Sequence, residues 1–351
     1  MTNNIERCSK CIQSKNYPKI KFEENGVCNF CNKKNKSTKI EASFIDNAKI
    51  KISNLFDNRI KRGEYDAVVC YSGGKDSTYV LKLAVEKYGL NVLAFTLDNG
   101  YIAEVAWKNI RKVVDSLGVD HWVYRPSSEN YKAIARASAI TDVYRKNTLT
   151  RISAICNSCI SMVNITALKI ALEKKIPFIL AGFTLGQIPI NAIIYKNHYK
   201  FLADSRLESL NKLREEVGDV VDDYLCIKDE LINEVKEYPH NVNILCIEDV
   251  TETEIKDAIA PLGWVSPKDV DGCSSNCMLN TFNNYVHEEV FGYNPYEMEL
   301  SHLIREGLMT RSEALDKIND SSVEQIAPIM ASLSIEKNDI ISVKNVYDSK
   351  R

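Results

Sequence analysis

Four cysteines near the start of the chain have the spacing of metal ligands. Cys8 and Cys11 form one C-x2-C pair, and Cys28 and Cys31 form a second pair after sixteen intervening residues. Four thiolates satisfy the tetrahedral preference of Zn2+ and leave no open position. A segment this short buries too little to fold alone, so the metal would supply its stability. The spacing predicts a structural zinc ribbon over residues 1–40, with a metal-free or redox role as the alternative.

Cysteines are also paired at two later places. Cys156 and Cys159 form a third C-x2-C pair, and Cys273 and Cys277 form a C-x3-C pair in a loop of small polar residues. In a reducing compartment such pairs indicate metal or redox sites before disulfides. Three cysteines on an iron–sulfur cluster would leave one iron free to hold a sulfide, whereas four would close the cluster. The alternatives are a second zinc ion, a persulfide pair and simple packing.

A glycine-rich segment carries the third set of chemically suited side chains. It consists of Ser72, Gly73, Gly74, Lys75, Asp76 and Ser77. The glycines let backbone amides approach an anion, and a helix that begins here would add the positive end of its dipole. Lys75 offers a charge to phosphate oxygens, and Asp76 suits such a site if Mg2+ bridges the two. The segment is not the phosphate loop of ordinary nucleoside triphosphatases, which is longer.

Strands and helices alternate around this segment. An apolar, β-rich run at 65–71 precedes it, and residues 78–88 after it have helical spacing up to Gly89. The next predicted elements are strands at 91–97, 121–124 and 176–182 and helices at 102–118 and 160–174. This alternation is typical of a parallel sheet covered on both faces. We therefore predict an α/β protein with a doubly wound parallel sheet.

The remaining elements complete the predicted organisation. Periodicity predicts helices at 41–60, 202–221 and 253–262, a strand at 242–247, and a mostly helical pattern from 275 onward. The predicted domains are a zinc ribbon at 1–40, a linker helix at 41–60, a nucleotide-binding domain at 61–250 and a helical region at 251–351.

Segment 72–77 resembles the signature of the N-type ATP pyrophosphatases, the PP-loop family of adenine nucleotide alpha hydrolases. The resemblance implies that this segment binds the pyrophosphate part of ATP with Mg2+, and that Lys75 and Asp76 direct the nucleotide. In that family a substrate oxygen attacks the α-phosphate, pyrophosphate leaves, and a nitrogen or sulfur nucleophile then displaces AMP.

The same resemblance extends to two later strand ends. It implies that Leu97 and Asp98 hold the adenosine and that Gly182 lies near the nucleotide. Many family members follow this later glycine with an acidic pair, but residues 183–187 contain no acid. A second metal-binding carboxylate would therefore have to come from elsewhere, or Asp76 would work with fewer partners.

The later cysteines favour sulfur as the nucleophile. Cys156 and Cys159 open a predicted helix, so we expect both thiols near the carboxyl edge of the sheet and a thiol pKa lowered by the helix N-terminus. This pair with a distant third cysteine, Cys273 or Cys277, resembles the tRNA thiolases that use an iron–sulfur cluster. The resemblance implies an ATP-dependent sulfurtransferase with a 4Fe-4S cluster, supplied by a sulfur-donor protein or by sulfide.

A second resemblance favours nitrogen. Residues 18–31 and 303–314 are similar to the start and the tail of the N-acetyl sugar amidotransferases. That resemblance implies ammonia from a glutaminase partner and an amidine product. Under either alternative the acceptor is predicted to be a small molecule or a sugar. A tRNA acceptor is less expected, because a net charge of −2 creates no global field for nucleic acid.

Composition limits the class of protein. The 351 residues are 45% hydrophobic and 26% charged, which suits about two globular domains and excludes a wholly disordered, collagenous or coiled-coil chain. The apolar runs are shorter than the roughly 18 residues of a membrane span, and the first residues lack an apolar signal region. We therefore expect a cytoplasmic protein with no membrane partner, with a homodimer through the helical region left open. A nucleic-acid-binding module that uses the basic residues of 1–40 is the least favoured alternative.

Overall fold

The computed structural model describes residues 5–32, 34–60, 63–268, 270–319 and 323–349. Their strands form one sheet with the spatial order β3-β2-β1-β4-β6-β5. The strands are β1 (Ala67–Cys70), β2 (Val92–Leu97), β3 (Asp120–Tyr124), β4 (Phe178–Leu180), β5 (Ile194–Lys196) and β6 (His240–Val242). All neighbouring pairs are parallel except β5 and β6, which are antiparallel.

Helices account for most of the rest of the described chain. The first seven are α1 (Asn29–Asn32), α2 (Lys34–Asp57), α3 (Lys75–Lys82), α4 (Glu104–Leu117), α5 (Ser128–Ile140), α6 (Ala154–Glu173) and α7 (Tyr199–Val217). They are followed by α8 (Val221–Leu225), α9 (Asp229–Asn233), α10 (Glu252–Ile259), α11 (Leu279–Phe291), α12 (Glu297–Glu306), α13 (Arg311–Asn319), α14 (Ile326–Ser332) and α15 (Lys337–Ser349).

The sheet is buried on both faces because successive strand residues point to opposite sides. On one face, Ala67 and Val69 of β1 pack in a core with α2, α3, α4 and α10. On the other face, Val68 and Leu93 pack in a core with α5, α6, α11 and α15. Strands buried on both sides have continuous apolar sequences, as β1 (Ala67–Cys70) does. The predicted doubly wound α/β fold is confirmed.

The strand order reverses at β1. From β1 the sheet extends through β2 and β3 in one direction and through β4 and β6 in the other. The parallel register pairs Cys70 with Phe95 and Val69 with Leu180. The segments that follow these strands therefore meet at the carboxyl edge of the sheet, where open α/β sheets bind their ligands.

The predicted strand at 242–247 is wrong over most of its length. The strand β6 ends at Val242, and Ile244–Ile247 form a buried 3-10 turn that packs in the same core as β4. Asn243 separates the two, because its backbone N–H donates to Ile193 O and its Nδ2 donates to Ala192 O. A short apolar run fits a buried turn as well as a strand, so periodicity alone could not separate them.

Other elements differ from the prediction in extent. The helix predicted over 41–60 begins earlier, at Lys34, and ends at Asp57. The helix predicted over 160–174 begins at Ala154, so the Cys156 pair lies within its first two turns. Helix α5 and the antiparallel strand β5 were not predicted, whereas the helical pattern after 275 is confirmed.

Helix α6 has the length of a membrane span and a mean hydropathy of 1.5. In this fold it packs against the sheet, and its residues Met162, Ile165 and Leu168 are at most 2% exposed. A helix that is apolar nearly all round is the expected central helix of a large core. Its composition therefore has an explanation within the fold.

Candidate functional site

Residues 72–77, which we call the phosphate turn, follow β1 and continue into the first turn of α3. Gly73 has a φ of +77°, and a Cβ on it would lie 2.7 Å from Cγ1 of Ile110, so this position requires glycine. The hydroxyl oxygens of Ser72 and Ser77 are 3.0 Å apart, and Ser77 Oγ also accepts a hydrogen bond from Ser72 N. The turn is stabilised by its own serines, and the first amides of α3 face the carboxyl edge of the sheet.

Gly182 brings the end of β4 against the same turn. A Cβ on Gly182 would lie 2.8 Å from the backbone nitrogen of Ser77 and 3.0 Å from the carbonyl carbon of Asp76. Backbone atoms cannot rotate away as a flexible side chain can. The glycine therefore allows β4 and the phosphate turn to pack together.

Leu97 and Asp98 lie at the end of the neighbouring strand β2. Both are at most 9% exposed. Asp98 Oδ1 accepts a hydrogen bond from Gly100 N at 2.9 Å, and its other carboxylate oxygen lies 3.4 Å from Nη1 of Arg125. The predicted nucleotide residues therefore share one edge of the sheet, although they come from three strands.

Charged side chains of both signs surround Lys75. Its Nζ lies 2.8 Å from Asp76 Oδ2 and 3.8 Å from Glu252 Oε2. Lys317 Nζ lies 3.0 Å from the same oxygen of Glu252. Burial alone would raise the pKa of Glu252, but the charges of Lys75 and Lys317 lower it to about 2. Glu252 is therefore ionised at neutral pH.

Glu299 of α12 supplies another carboxylate. Its Oε1 accepts a hydrogen bond from Thr184 Oγ1 at 2.8 Å. Burial, together with the charge of Asp76, raises the pKa of Glu299 to about 7. Asp76, Glu252 and Glu299 line one cavity of about 270 Å3 together with Lys75. Glu252 and Glu299 are thus candidates for the carboxylate missing after β4, and oxygen ligands of this kind suit Mg2+.

The loop before α11 contacts the phosphate turn. We call residues 271–278 the cysteine loop. Lys75 N donates a hydrogen bond to Ser275 Oγ of this loop at 3.0 Å. Trp264, a few residues earlier, donates from Nε1 to Gly73 O at 2.9 Å. The helical region is therefore part of the site and does not merely follow the nucleotide-binding domain.

Cys156, Cys159 and Cys277 lie close together at the same edge. Cys156 and Cys159 are three residues apart on α6, so their side chains lie on one face of that helix. Asn99 Nδ2 lies 3.8 Å from Cys159 Sγ and 3.9 Å from Cys277 Sγ, and Asn283 Nδ2 lies 3.0 Å from Cys156 Sγ. Amide donors aimed at sulfur are the kind of neighbour that tunes an iron–sulfur cluster.

Cys273 is separated from this group. Its Sγ donates to Lys317 O at 3.6 Å, and the side chain packs in an apolar cluster with Ile12 and Leu300. Of the two cysteines in the C-x3-C pair, Cys277 is therefore the one that lies beside the C-x2-C pair. Three cysteines spread over a cluster would leave one iron without a protein ligand.

The expected lowering of a thiol pKa at the start of α6 is wrong. Burial raises the pKa of Cys156 to about 11 and that of Cys277 to about 12, and it also raises the pKa of Cys159. The loss of solvation outweighs the hydrogen bonds that act in the other direction. Thiols with such pKa values keep their protons at neutral pH unless a metal replaces them. The three thiols are therefore poor free nucleophiles at neutral pH.

The N-terminal cysteines form a compact tetrad. All four sulfurs lie within 4.8 Å of one another, and all four residues are at most 3% exposed. The Cys8–Cys31 and Cys11–Cys28 sulfurs are 3.9 and 3.7 Å apart. A tetrahedron with zinc–sulfur bonds of about 2.3 Å has edges of about 3.8 Å. The spacing of the sulfurs thus fits one tetrahedral ion.

The N-terminal module docks onto the helical region. Arg7 forms an ion pair with the buried Glu297 of α12, and Ser14 N donates to the same carboxylate at 2.8 Å. Arg311 of α13 donates to the carbonyl oxygens of Cys8 and Cys11 at 3.3 and 3.0 Å. The first and last parts of the chain are therefore joined by specific polar contacts.

An open parallel sheet with a glycine-rich turn at its switch point defines a nucleotide-binding α/β domain. Residues 66–183 match the family model of the phosphoadenosine phosphosulfate reductase domain, about a third of the chain. The matched segment contains the phosphate turn, the Cys156–Cys159 pair and Gly182. The predicted PP-loop superfamily, the adenine nucleotide alpha hydrolases, is confirmed for this segment.

Three individual proteins are similar to the chain. An uncharacterized protein of Methanocaldococcus jannaschii is 32% identical over 115 residues, which are 32% of this chain, and the match spans 40% of that relative. The solved U34-tRNA thiolase NcsA of Methanococcus maripaludis, with its 4Fe-4S cluster, is 15% identical, with 86% of each chain covered and a TM-score of 0.36. The NMN synthetase of Francisella tularensis is 12% identical, with 84% of this chain and 97% of that chain covered and a TM-score of 0.40.

Several residues of the site were not predicted from the sequence. Asn99 could have been, since it directly follows Asp98 at a predicted strand end. Four other residues have no such position beside a predicted strand end, because each stands in an ordinary helix or polar loop far along the chain. They are Glu252, Ser275, Asn283 and Glu299. Their place in the site depends on how the helical region returns to the sheet.

Proposed function

We propose that this protein is an ATP-dependent sulfurtransferase that adenylates a carbonyl or carboxyl oxygen of an acceptor and then replaces AMP with sulfur. The observation that carries this proposal is the position of the cysteine loop. Ser275 contacts Lys75 of the phosphate turn, and Cys277, two residues further on, lies with Cys159 against the side-chain amide of Asn99. One short loop thus joins a nucleotide site to a cysteine site.

The first half of the proposed reaction uses the phosphate turn. The amides of the turn and Lys75 would bind the pyrophosphate portion of ATP. Asp76, Glu252 and Glu299 would hold Mg2+, which stabilises the charge that develops on the leaving group. The acceptor oxygen forms a bond to the α-phosphorus, the bond from that phosphorus to its bridging oxygen breaks, and pyrophosphate leaves with the electron pair.

The second half uses the cysteine site. Cys156, Cys159 and Cys277 would hold a 4Fe-4S cluster, whose remaining iron can bind an additional sulfide when the cluster is present. Asn99 and Asn283 orient and polarise the cysteine sulfurs through their amide groups. A sulfur nucleophile then forms a bond to the activated carbon, and AMP leaves with the electrons of the carbon–oxygen bond. Sulfide or a sulfur-donor protein must replace the sulfur after each turnover.

The N-terminal module has a structural part in this proposal. Its tetrad would hold Zn2+ as a closed site, because four thiolates fill the tetrahedral positions. The module is at the same time attached to α12, the helix that carries Glu299. A role in supporting the site is therefore more consistent with its position than a role in chemistry.

The test compares the two cysteines of the C-x3-C pair after anaerobic purification. We expect the wild-type protein to contain iron and labile sulfide and to absorb broadly in the visible range. Cys277→Ser should lose most of the iron, whereas Cys273→Ser should retain it, because only Cys277 lies beside the C-x2-C pair. With ATP and an acceptor, the products should be AMP and pyrophosphate. A colourless wild-type protein that holds only zinc, or one that forms ADP and phosphate, would contradict the proposal.

An amidotransferase is the second candidate, and one contact favours it. The two segments that resemble the sugar amidotransferases meet in the fold, because Ile304 of the second packs against the cluster that contains Cys28 and Cys31 of the first. This candidate predicts AMP formation that depends on ammonia, or on glutamine with a glutaminase partner. It also predicts that Cys156→Ala stays active, whereas the sulfurtransferase would lose product formation with this change.

A further inference from the structure

The edge strand β3 leaves three consecutive apolar side chains exposed. It is the last strand at one end of the sheet, and Trp122, Val123 and Tyr124 are 41%, 49% and 38% exposed. Successive side chains of a strand point to opposite faces, so both faces of β3 are accessible to solvent. Native proteins usually protect an apolar edge strand with charges, bulges or a covering segment. These exposures therefore indicate a surface on which another chain docks.

The backbone of β3 has free groups along the same edge. Tyr124 O accepts a hydrogen bond from Asp98 N at the end of β2, so Tyr124 directs its backbone groups toward β2. Alternate residues of a strand bond to the same neighbour, so His121 and Val123 direct their N–H and C=O groups away from β2. No hydrogen bond joins these groups to another segment among the residues that the structure describes. A further strand can therefore pair with β3 over its whole length.

The sequence of β3 is complementary to itself in the antiparallel direction. Its five residues are centred on Trp122. With a two-fold axis at Trp122, His121 of each copy would exchange both backbone hydrogen bonds with Val123 of the other copy. The two Trp122 side chains would then lie opposite each other on one face. Tyr124 would lie opposite Asp120, to whose carboxylate its hydroxyl can donate. Every residue of β3 therefore has a partner in this register.

Charge also favours the antiparallel direction. Asp120 begins the strand and is exposed, and Arg125 directly follows the strand. The Arg125 side chain is 66% exposed, although it also contacts Asp98. Antiparallel pairing brings the acidic end of one copy beside the basic end of the other, whereas parallel pairing would bring like charges together. The ends of β3 therefore match a second copy that runs in the opposite direction.

Other parts of this chain fit the edge less well. The strand β5, at the opposite end of the sheet, has only three residues, Ile194–Lys196. Pairing of β3 with β5 of another copy would be head-to-tail and would continue into a filament unless the rotation closed a ring. The stretches of this sequence outside the described residues are at most four residues long, which is shorter than β3. A second β3 matches the length of the edge and closes the assembly.

We propose that two copies of this protein associate through β3, with the two strands antiparallel about a two-fold axis at Trp122, so that the two sheets become continuous. The association removes the exposed apolar side chains of β3 from water in both copies. Because β2 separates β3 from β1, the phosphate turn of each copy stays accessible. The dimer therefore does not depend on the proposed transfer reaction.

Sedimentation velocity tests the association. The full-length, anaerobically purified protein is measured without ATP at a series of micromolar concentrations, and we expect the wild type to be a dimer. Trp122→Lys would place two like charges opposite each other and remove an apolar contact, so the dissociation constant of the dimer should rise by at least about tenfold. Leu207→Lys is the matched control, because Leu207 is an apolar residue of α7 that is 51% exposed, and it should leave the dimer intact. Should Trp122→Lys fail to fold, Val123→Lys carries the test, because Val123 is more exposed than Trp122.

Two cysteine substitutions test the register. In Trp122→Cys the new thiols of the two copies lie opposite each other, at a position where the Cα atoms of a pair are about 4.5 Å apart, within the range of a disulfide. In Val123→Cys they lie on a diagonal, with Cα atoms about 7–8 Å apart, which is too far. After mild oxidation with oxidised glutathione, non-reducing electrophoresis should show a covalent dimer for Trp122→Cys. Val123→Cys should show no more of it than the wild type, which measures the background from the native cysteines.

Three results would overturn the inference. A wild-type protein that stays monomeric at all concentrations would leave β3 to a partner of another sequence. A dimer that withstands both lysine substitutions would have its interface elsewhere. Equal cross-linking of the two cysteine variants would contradict the register at Trp122. Because none of these measurements requires turnover, failure of the inference is separate from failure of the proposed function.

Discussion

The titratable side chains at the carboxyl edge of the sheet differ in protonation state because they differ in their neighbours. Burial raises the pKa of Cys156 to about 11 even though the residue begins a helix. Glu252 is partly buried, yet Lys75 and Lys317 keep it ionised. A buried charge needs a partner of opposite sign, and for a thiolate that partner is a cationic side chain or a metal ion. The same residue types on the surface would have ordinary pKa values.

His287 of α11 provides a pH-dependent prediction. It is 2% exposed, its ring nitrogens have no hydrogen-bond partner among the described residues, and burial lowers its pKa to about 3. The unfolded chain binds this proton near pH 6.5, so the stability that the neutral ring contributes is present above pH 6.5 and decreases as the pH falls. The loss is about 2 kcal/mol at pH 5.

The change His287→Phe should remove this part of the acid sensitivity. The free energy of unfolding is measured with denaturant at pH 7.5 and at pH 5. The decrease between these two pH values should be about 2 kcal/mol smaller in the variant than in the wild type. His198→Phe, at an exposed position, is the control and should leave the difference as it is. An unchanged pH dependence in His287→Phe would show that folding does not lower the pKa of this ring.

Gly182 offers a steric prediction at the phosphate turn. In Gly182→Ala the new methyl group would meet the backbone of Asp76 and Ser77. Overpacking of this kind costs about 1–3 kcal/mol of stability, and we also expect weaker ATP binding by calorimetry because the turn must shift. Gly118→Ala is the control, since its φ of +61° strains an alanine but no atom lies within 4 Å. It should lower stability and leave ATP affinity intact.

At the scale of elements, the cysteine loop and the sheet edge depend on each other. The loop begins at the buried Asp271, whose carboxylate accepts hydrogen bonds from Cys273 N and Ser274 N. Ser274 Oγ in turn accepts a bond from Cys277 N. A short bridge between Ile102 and Cys277 ties the loop to the segment after β2. These contacts position Cys277 more firmly than a polar loop would suggest.

Ser275→Ala tests what the loop does to nucleotide binding. Ser275 Oγ accepts the hydrogen bond of Lys75 N, an amide that a phosphate oxygen would otherwise use. Removing the hydroxyl frees this donor, so we expect ATP to bind about two- to tenfold more tightly by calorimetry. Ser274→Ala removes a hydroxyl that supports the loop itself and should give no such gain. Weaker binding in Ser275→Ala would instead identify the hydroxyl as a phosphate ligand.

At the scale of the whole molecule, the N-terminal module stabilises a helix that reaches the site. Arg7 and Ser14 contact Glu297, and Glu299 follows two residues later on α12. The chain between Ser14 and Glu297 contains the entire sheet. Loss of a metal from the tetrad should therefore affect the phosphate turn, although no cysteine of the tetrad is near that turn in sequence.

Cys28→Ser should show this long-range effect. Without a complete tetrad the module should lose its metal, and we expect the free energy of unfolding to fall by at least about 2 kcal/mol. AMP formation should fall as well, because α12 and Glu299 lose their support. Cys226→Ser, outside both cysteine groups, should change neither Tm nor activity. Full activity in metal-free Cys28→Ser would separate the module from the site.

The sequence alone determined the local parts of this protein. The tetrad spacing, the glycine-rich turn and the apolar alternation each depend on residues a few positions apart, where chain geometry leaves few alternatives. Tertiary structure decided which of Cys273 and Cys277 joins Cys156, and which distant acids face Asp76. Those choices depend on how helices more than a hundred residues away pack against the sheet. Packing of this kind is set by the shape of the whole core, which no short stretch of sequence encodes.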